Sequence, residues 1–135
     1  MRVGKRTEPQ ALLPEKCSCS GVTLDRLLQP AILAVLSSDR LNGYRVGKKL
    51  ETMPMFRYRK PDASGMYRTL KEMVHQGLIA PTVVKSETTA AKVYRITPSG
   101  MACLAHWDQT LQSYHEAIGG LLEQCHFALH GVKTT

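Results

Sequence analysis

Leu104, Trp107, Leu111, Tyr114, Ile118, Leu121 and Cys125 follow one another at alternating steps of three and four. That spacing keeps seven apolar side chains on one stripe of a helix for three heptads, the pattern of a coiled-coil-like contact. Thr97 and Pro98 are a capping residue and a first-turn proline, so the helix is expected over residues 98–130. In a chain of 135 residues the rest of the molecule has too little core to cover such a stripe. The expected partner is a second copy, with the seam as the dimer interface. Gly119 and Gly120 interrupt the helix at a cost of roughly 1 kcal/mol each, which predicts a bend or a close approach there.

The remaining chain reads as an arm and one small domain. Residues 1–22 mix Pro, Gly, Ser, Thr and charge without periodicity, as an irregular N-terminal arm does. Residues 23–97 form the domain and residues 98–130 its appended helix. Thr23 caps a first helix over residues 24–38, which Pro30 is expected to kink or divide. Asn42-Gly43 makes a turn into a second helix over residues 43–53, with Tyr44, Val46 and Leu50 toward the core. Pro54 ends it. The third helix is capped by Asp62 and stopped at Gly77. Counted at 100° per residue, Met66, Leu70, Met73 and Val74 share one stripe of it, and Ser64, Arg68, Lys71 and His75 the opposite one. Two β-like runs, residues 79–85 and 92–96, flank the polar stretch "SETTAA" and read as a hairpin. The fold class is therefore mostly α with a small β-hairpin: a winged helix-turn-helix carrying a long C-terminal dimerisation helix.

Charge is concentrated where that reading needs it. Residues 40–95 hold twelve Lys and Arg against four Asp and Glu, whereas the chain as a whole carries +7. A basic middle is the footprint of a polyanion, and the loop "MFRYRK" interleaves cations with aromatics. Lys85, Lys92 and Arg95 would put cations on the hairpin, beside the groove that the third helix enters. No apolar run is long enough for a membrane span and residues 1–16 have no signal-peptide core, so the expected setting is cytoplasmic, without a membrane.

At this point the residues resemble the PadR family of winged-helix transcriptional regulators. The likeness lies in "ILAVLSSDRLNGYRVGKKLE", "GMYRTLKEMVHQGLI" and "YRITPSG", in that order, and spans most of residues 24–126. It implies a homodimer whose third helices enter successive major grooves of a palindromic duplex, and repression relieved by a small effector. The single helix after the hairpin resembles the family's short type. Asn42 stands where the family often has His, and Asp62-Ala63-Ser64-Gly65 where it often has Ser-Pro-Gly-Ser or Ser-Pro-Gly-Thr. On the implied docking, Ser64, Tyr67, Arg68 and Lys71 face DNA. Arg57, Arg59, Lys60, Lys85, Lys92 and Arg95 meet phosphates, which add affinity without reading sequence. Trp107 becomes a candidate effector platform, since effectors of this family are often planar aromatics that enter the dimer interface.

Cysteines leave a further expectation. Cys17 and Cys19 are too close for an easy disulfide but suit thiolate ligation of zinc or another soft metal ion. Cys103 and His106, one turn apart, could complete four ligands. The alternatives are a redox-responsive thiol pair and inert cysteines. An enzyme is not expected: the chain has no phosphate-binding glycine loop, no nucleophile elbow and no H-E-x-x-H helix. The competing function is a winged-helix protein-interaction module without specific DNA binding.

Overall fold

The computed structural model describes residues 27–57, 60–85 and 90–131. The expected arm, the start of the first helix, Cys17, Cys19, Arg59 and the hairpin tip lie outside these residues.

Helix α1 (Leu28–Leu36) is apolar on nearly every face because it is packed on nearly every face. Ile32 and Leu33 are wholly buried, with Leu28, Ala31 and Leu36 close behind. Pro30 belongs to its first residues, and the longer helix over residues 24–38 that it was expected to kink or divide begins outside the described residues. As the third helical residue, Pro30 lies in the first turn, where backbone N–H groups have no acceptor within the helix. Strand β1 (Leu41–Asn42) follows, and Asn42 then caps helix α2 (Gly43–Glu51), its Oδ1 accepting from Arg45 N at 2.8 Å. Val46 and Leu50 point into the core as expected, but Tyr44 does not: it is 66% exposed, with the Lys48 ammonium 5.5 Å from its ring centre. A single 3₁₀ turn (Pro54–Phe56) then tucks Phe56 into the core.

Helix α3 (Ala63–His75) starts and stops where the sequence predicts. Asp62 Oδ2 accepts from Gly65 N at 2.8 Å. At the other end Gly77 takes φ +79°, Gly77 N bonds Val74 O, and Leu78 N bonds Met73 O. This paired closure depends on a left-handed residue and so on glycine. Met66, Leu70 and Met73 are buried and Val74 is half-buried.

Strands β2 (Ile79–Lys85) and β3 (Ala90–Ile96) pair antiparallel from Ile79–Ile96 out to Lys85–Ala90. The sheet has three strands in the order β1-β3-β2, with Leu41 opposite Tyr94. Pro81 is tolerated because β2 is an edge strand, where a missing donor breaks no ladder. Only the base of the hairpin reaches the core; residues 81–85 are exposed.

Helix α4 (Pro98–His130) has 33 residues, about 50 Å at 1.5 Å per residue. Thr97 Oγ1 caps it by accepting from Gly100 N at 3.0 Å. Gly100 lies so close to the Leu78 carbonyl oxygen that no side chain fits between them. Cys103, Leu104 and Trp107 pack on the core from one stripe of α4. Beyond Leu111 every described residue is exposed, including Tyr114, Ile118, Leu121 and Cys125 from the seam. Among the described residues there is no close approach at Gly119 and Gly120: the helix runs through both, and a Cβ on either would meet nothing within 4 Å.

Candidate nucleic-acid interface

The outer face of α3 is a cationic surface built on a rigid base. Three side chains fix it to the core from beneath, while Ser64, Arg68, Lys71 and His75 are exposed on top. Neither Arg68 nor Lys71 has an ion-pair partner among the described residues, where the pair within 4.0 Å is Lys48–Glu51 at 3.9 Å. Arg68 shares a hollow with Asp62, Thr69 and Glu72 on the flank toward α1. Its guanidinium therefore lies near acidic groups without an ion pair to either of them.

Tyr67 has two tasks. Its ring lies on Gly43, at the start of α2, so closely that a Cβ there would collide with it. Yet the residue stays 48% exposed. The ring therefore sets the spacing between α2 and α3 while presenting an edge to solvent. It also neighbours Tyr94 of β3. Burial pushes the Tyr94 phenol above its ordinary pKa of 10.0, and the Tyr67 phenol adds to the rise.

The wing cations are spread along the hairpin. Lys85 is paired with Ala90 at the outer end and Lys92 with Val83 nearby, both lysines exposed. Arg95 is half-buried at the base, opposite Ala80, where it lines a hollow with Arg40, Ser37 and Ser38. Arg57 and Lys60 are exposed before α3. Sequence reasoning missed the exposed set on α2. Tyr44 and Lys48 border a hollow with Pro61, Ala63 and Tyr67, between the two helices, and Arg45 and Lys49 are exposed beside them. The signal was present: in "YRVGKK" three of the six residues are cations and Val46 is the one apolar side chain besides Tyr44.

The other candidate residues are distributed as follows. Cys103 is half-buried with its Sγ 3.9 Å from Gln29 Oε1, whereas His106 is exposed. Among the described residues no three His, Cys, Asp or Glu side chains gather as metal ligands would. Trp107 donates its Nε1–H to Gln29 Oε1 at 2.9 Å. Its indole lines a largely apolar pocket of about 410 Å³ bounded by α1, the 3₁₀ turn and α4. No described helix is long and apolar enough to cross a membrane.

Comparison with known proteins agrees with this geometry. Residues 32–106 match the Transcriptional regulator PadR-like family. A PadR-like transcriptional regulator of Bacillus cereus is 25% identical with a TM-score of 0.64, over 75% of this chain and 96% of that one. A PadR family regulator from Eggerthella lenta is also 25% identical, with a TM-score of 0.66 over 78% and 91% of the two chains. Bacillus subtilis PadR, solved in complex with operator DNA, is 26% identical with a TM-score of 0.54. That match covers 61% of this chain and 45% of the other. No curated protein matches the sequence.

Proposed function

The chain belongs to the PadR-like family of transcriptional regulators, and from that premise we propose that it binds a specific double-stranded DNA site as a homodimer and represses transcription. The observation that carries this reading is the outer face of α3, which holds Arg68 and Lys71 exposed and without ion-pair partners among the described residues, on a helix locked to its core. A forked guanidinium can bond a guanine edge bidentately, and an ammonium can reach a base edge or a phosphate. Ser64 and Tyr67 complete the set that meets bases. Arg57, Arg59, Lys60, Lys85 and Lys92 supply phosphate contacts, with Arg95 at the wing base as a further one. In this reading residues 23–97 are the DNA-binding unit and residues 98–130 the dimerisation helix. A palindromic site follows, with half-sites about one helical turn apart. The related protein solved with operator DNA supports duplex DNA as the partner.

The test is selection of binding duplexes from a random library, followed by affinity measurements at several salt concentrations. Arg68→Ala should cost about 1–3 kcal/mol on the selected site and relax preference at particular base pairs. Lys92→Ala should weaken all duplexes alike and reduce the salt slope by roughly 1. If neither variant alters binding to the selected site, α3 and the wing do not dock as proposed.

An effector is proposed at the pocket beside Trp107, because its walls are almost wholly apolar. A soft metal ion at Cys17 and Cys19, with Cys103 and His106 as further ligands, is a separate proposal, motivated by the C-x-C spacing. Elemental analysis of anaerobically purified protein should find near-stoichiometric metal that Cys17→Ser/Cys19→Ser loses. Absence of metal from the unaltered protein would reject it.

A further inference from the structure

Gln29, half-buried on α1, has an amide whose two ends reach different parts of the molecule. Its Oε1 accepts from Trp107 Nε1–H at 2.9 Å, and the Cys103 thiol lies 3.9 Å from the same oxygen. Its Nε2 donates to Gln76 Oε1 at 3.3 Å. An indole nitrogen can only donate, so the carbonyl end of the amide must face Trp107. Turned over, the amide would set one N–H against another. Trp107 therefore dictates the orientation of Gln29, and that orientation commits the NH₂ group to Gln76.

Gln76 is the residue that closes α3, immediately before the left-handed Gly77. Two attachments converge on this corner. One comes from the start of α4: Thr97 Oγ1 lies 2.7 Å from Gly77 O and 2.9 Å from Leu78 O, Thr97 N donates to Leu78 O at 3.1 Å, and Gly100 is pressed against the same carbonyl. That attachment is made by the Thr97 hydroxyl, by backbone and by steric contact, and none of these residues lines the apolar pocket. The other is Gln29, whose far partner is an indole in the wall of the apolar pocket, alongside Pro30, Met53, Met55, Leu104 and Leu111. A molecule that displaces the indole draws the N–H away from Gln29. The amide then loses the donor that orients it, and with it the reason to keep its NH₂ on Gln76.

We propose that Gln29 is a coupling residue, transmitting the position of the Trp107 indole to the C-terminal end of α3, so that an apolar molecule in the pocket alters how α3 is presented to DNA. The proposal rests on the reading of α3 as the helix that meets DNA. Linkage makes the coupling reciprocal: a duplex bound on α3 must be felt at Trp107. A Gln29 that merely satisfies a half-buried indole N–H would leave Trp107 insensitive to anything done at Gln76.

Trp107 is the single tryptophan of the chain, so ¹⁵N-labelled protein gives one indole N–H signal. In the free protein, Gln76→Ala should displace that signal, although Trp107 and Gln29 are both untouched. Gln76→Glu, which keeps an acceptor oxygen, should return it toward its original position. In a Gln29→Met background, Gln76→Ala should have no effect on it. The selected duplex should displace the indole signal of the unaltered protein, and by less than half as much in Gln76→Ala, with binding followed independently by anisotropy. An indole signal indifferent to Gln76→Ala in the free protein overturns the relay, as does a duplex that binds and leaves the signal still. Failure of every duplex to bind counts instead against the DNA reading, and the free-protein comparison then decides the relay alone.

Discussion

Tyr94 and Tyr67 are near enough for one phenol to affect the other, and they differ in burial. Tyr94 is buried on β3, and burial together with the nearby Tyr67 phenol raises its pKa. A phenol whose pKa is higher in the folded than in the unfolded chain holds its proton more tightly when folded. Its contribution to stability is therefore complete below the unfolded value near 10 and is lost as pH rises through the raised folded value. Urea unfolding between pH 9 and pH 11 should show stability falling with pH, and Tyr94→Phe should flatten that fall. An equally steep fall in Tyr94→Phe would place the titrating group elsewhere. Such residue-level detail was only partly legible in the sequence. The third-helix stripes follow from angular position alone, so Met66, Leu70 and Met73 were placed correctly. Tyr44 was not, because a tyrosine at a helix boundary is apolar enough to read as core, although the cations around it in "YRVGKK" mark that stretch as mostly solvated.

At the level of elements, what the sequence made legible is what local chemistry decides. Asp62 and Thr97 are caps whose side-chain oxygens accept a backbone N–H three residues on, and Gly77 supplies a left-handed stop. β1 was illegible because two residues carry no period; it exists only through its pairing with β3. Helix α4 offers the clearest test of an element by itself. Gly119 and Gly120 each lie about 130° from the middle of the Ile118–Leu121 stripe when counted at 100° per residue, and a Cβ on either meets open space. Gly119→Ala/Gly120→Ala should therefore raise helix stability by roughly 1 kcal/mol per position, seen as a higher melting temperature by circular dichroism, with dimerisation intact. Loss of stability would mean that another chain approaches closely at those glycines.

For the whole molecule, the seam splits into two halves with different roles. Leu104, Trp107 and Leu111 are half-buried against their own chain, whereas Tyr114, Ile118 and Leu121 are 49%, 63% and 63% exposed. Leu122, Phe127 and Leu129 add to this bare surface. Burying one large apolar side chain fully is worth about 1.5–3 kcal/mol, so several of them together can hold two chains in one assembly. The dimer and the DNA reading are then joined by arithmetic. Each neutralised phosphate contributes about 0.9 to the slope of log K against log salt, and two equal protomers contribute twice the slope of one. Ile118→Asp/Leu121→Asp puts two carboxylates into the proposed contact without touching the buried core of the winged helix. Sedimentation should then find a monomer whose domain still melts cooperatively. Its salt slope on the selected duplex should be about half that of the unaltered protein, and its preference for the full palindrome over one half-site should disappear. A double variant that remains dimeric would reject the outer seam as the interface. A monomer that keeps the full slope would mean that one protomer alone makes all the phosphate contacts.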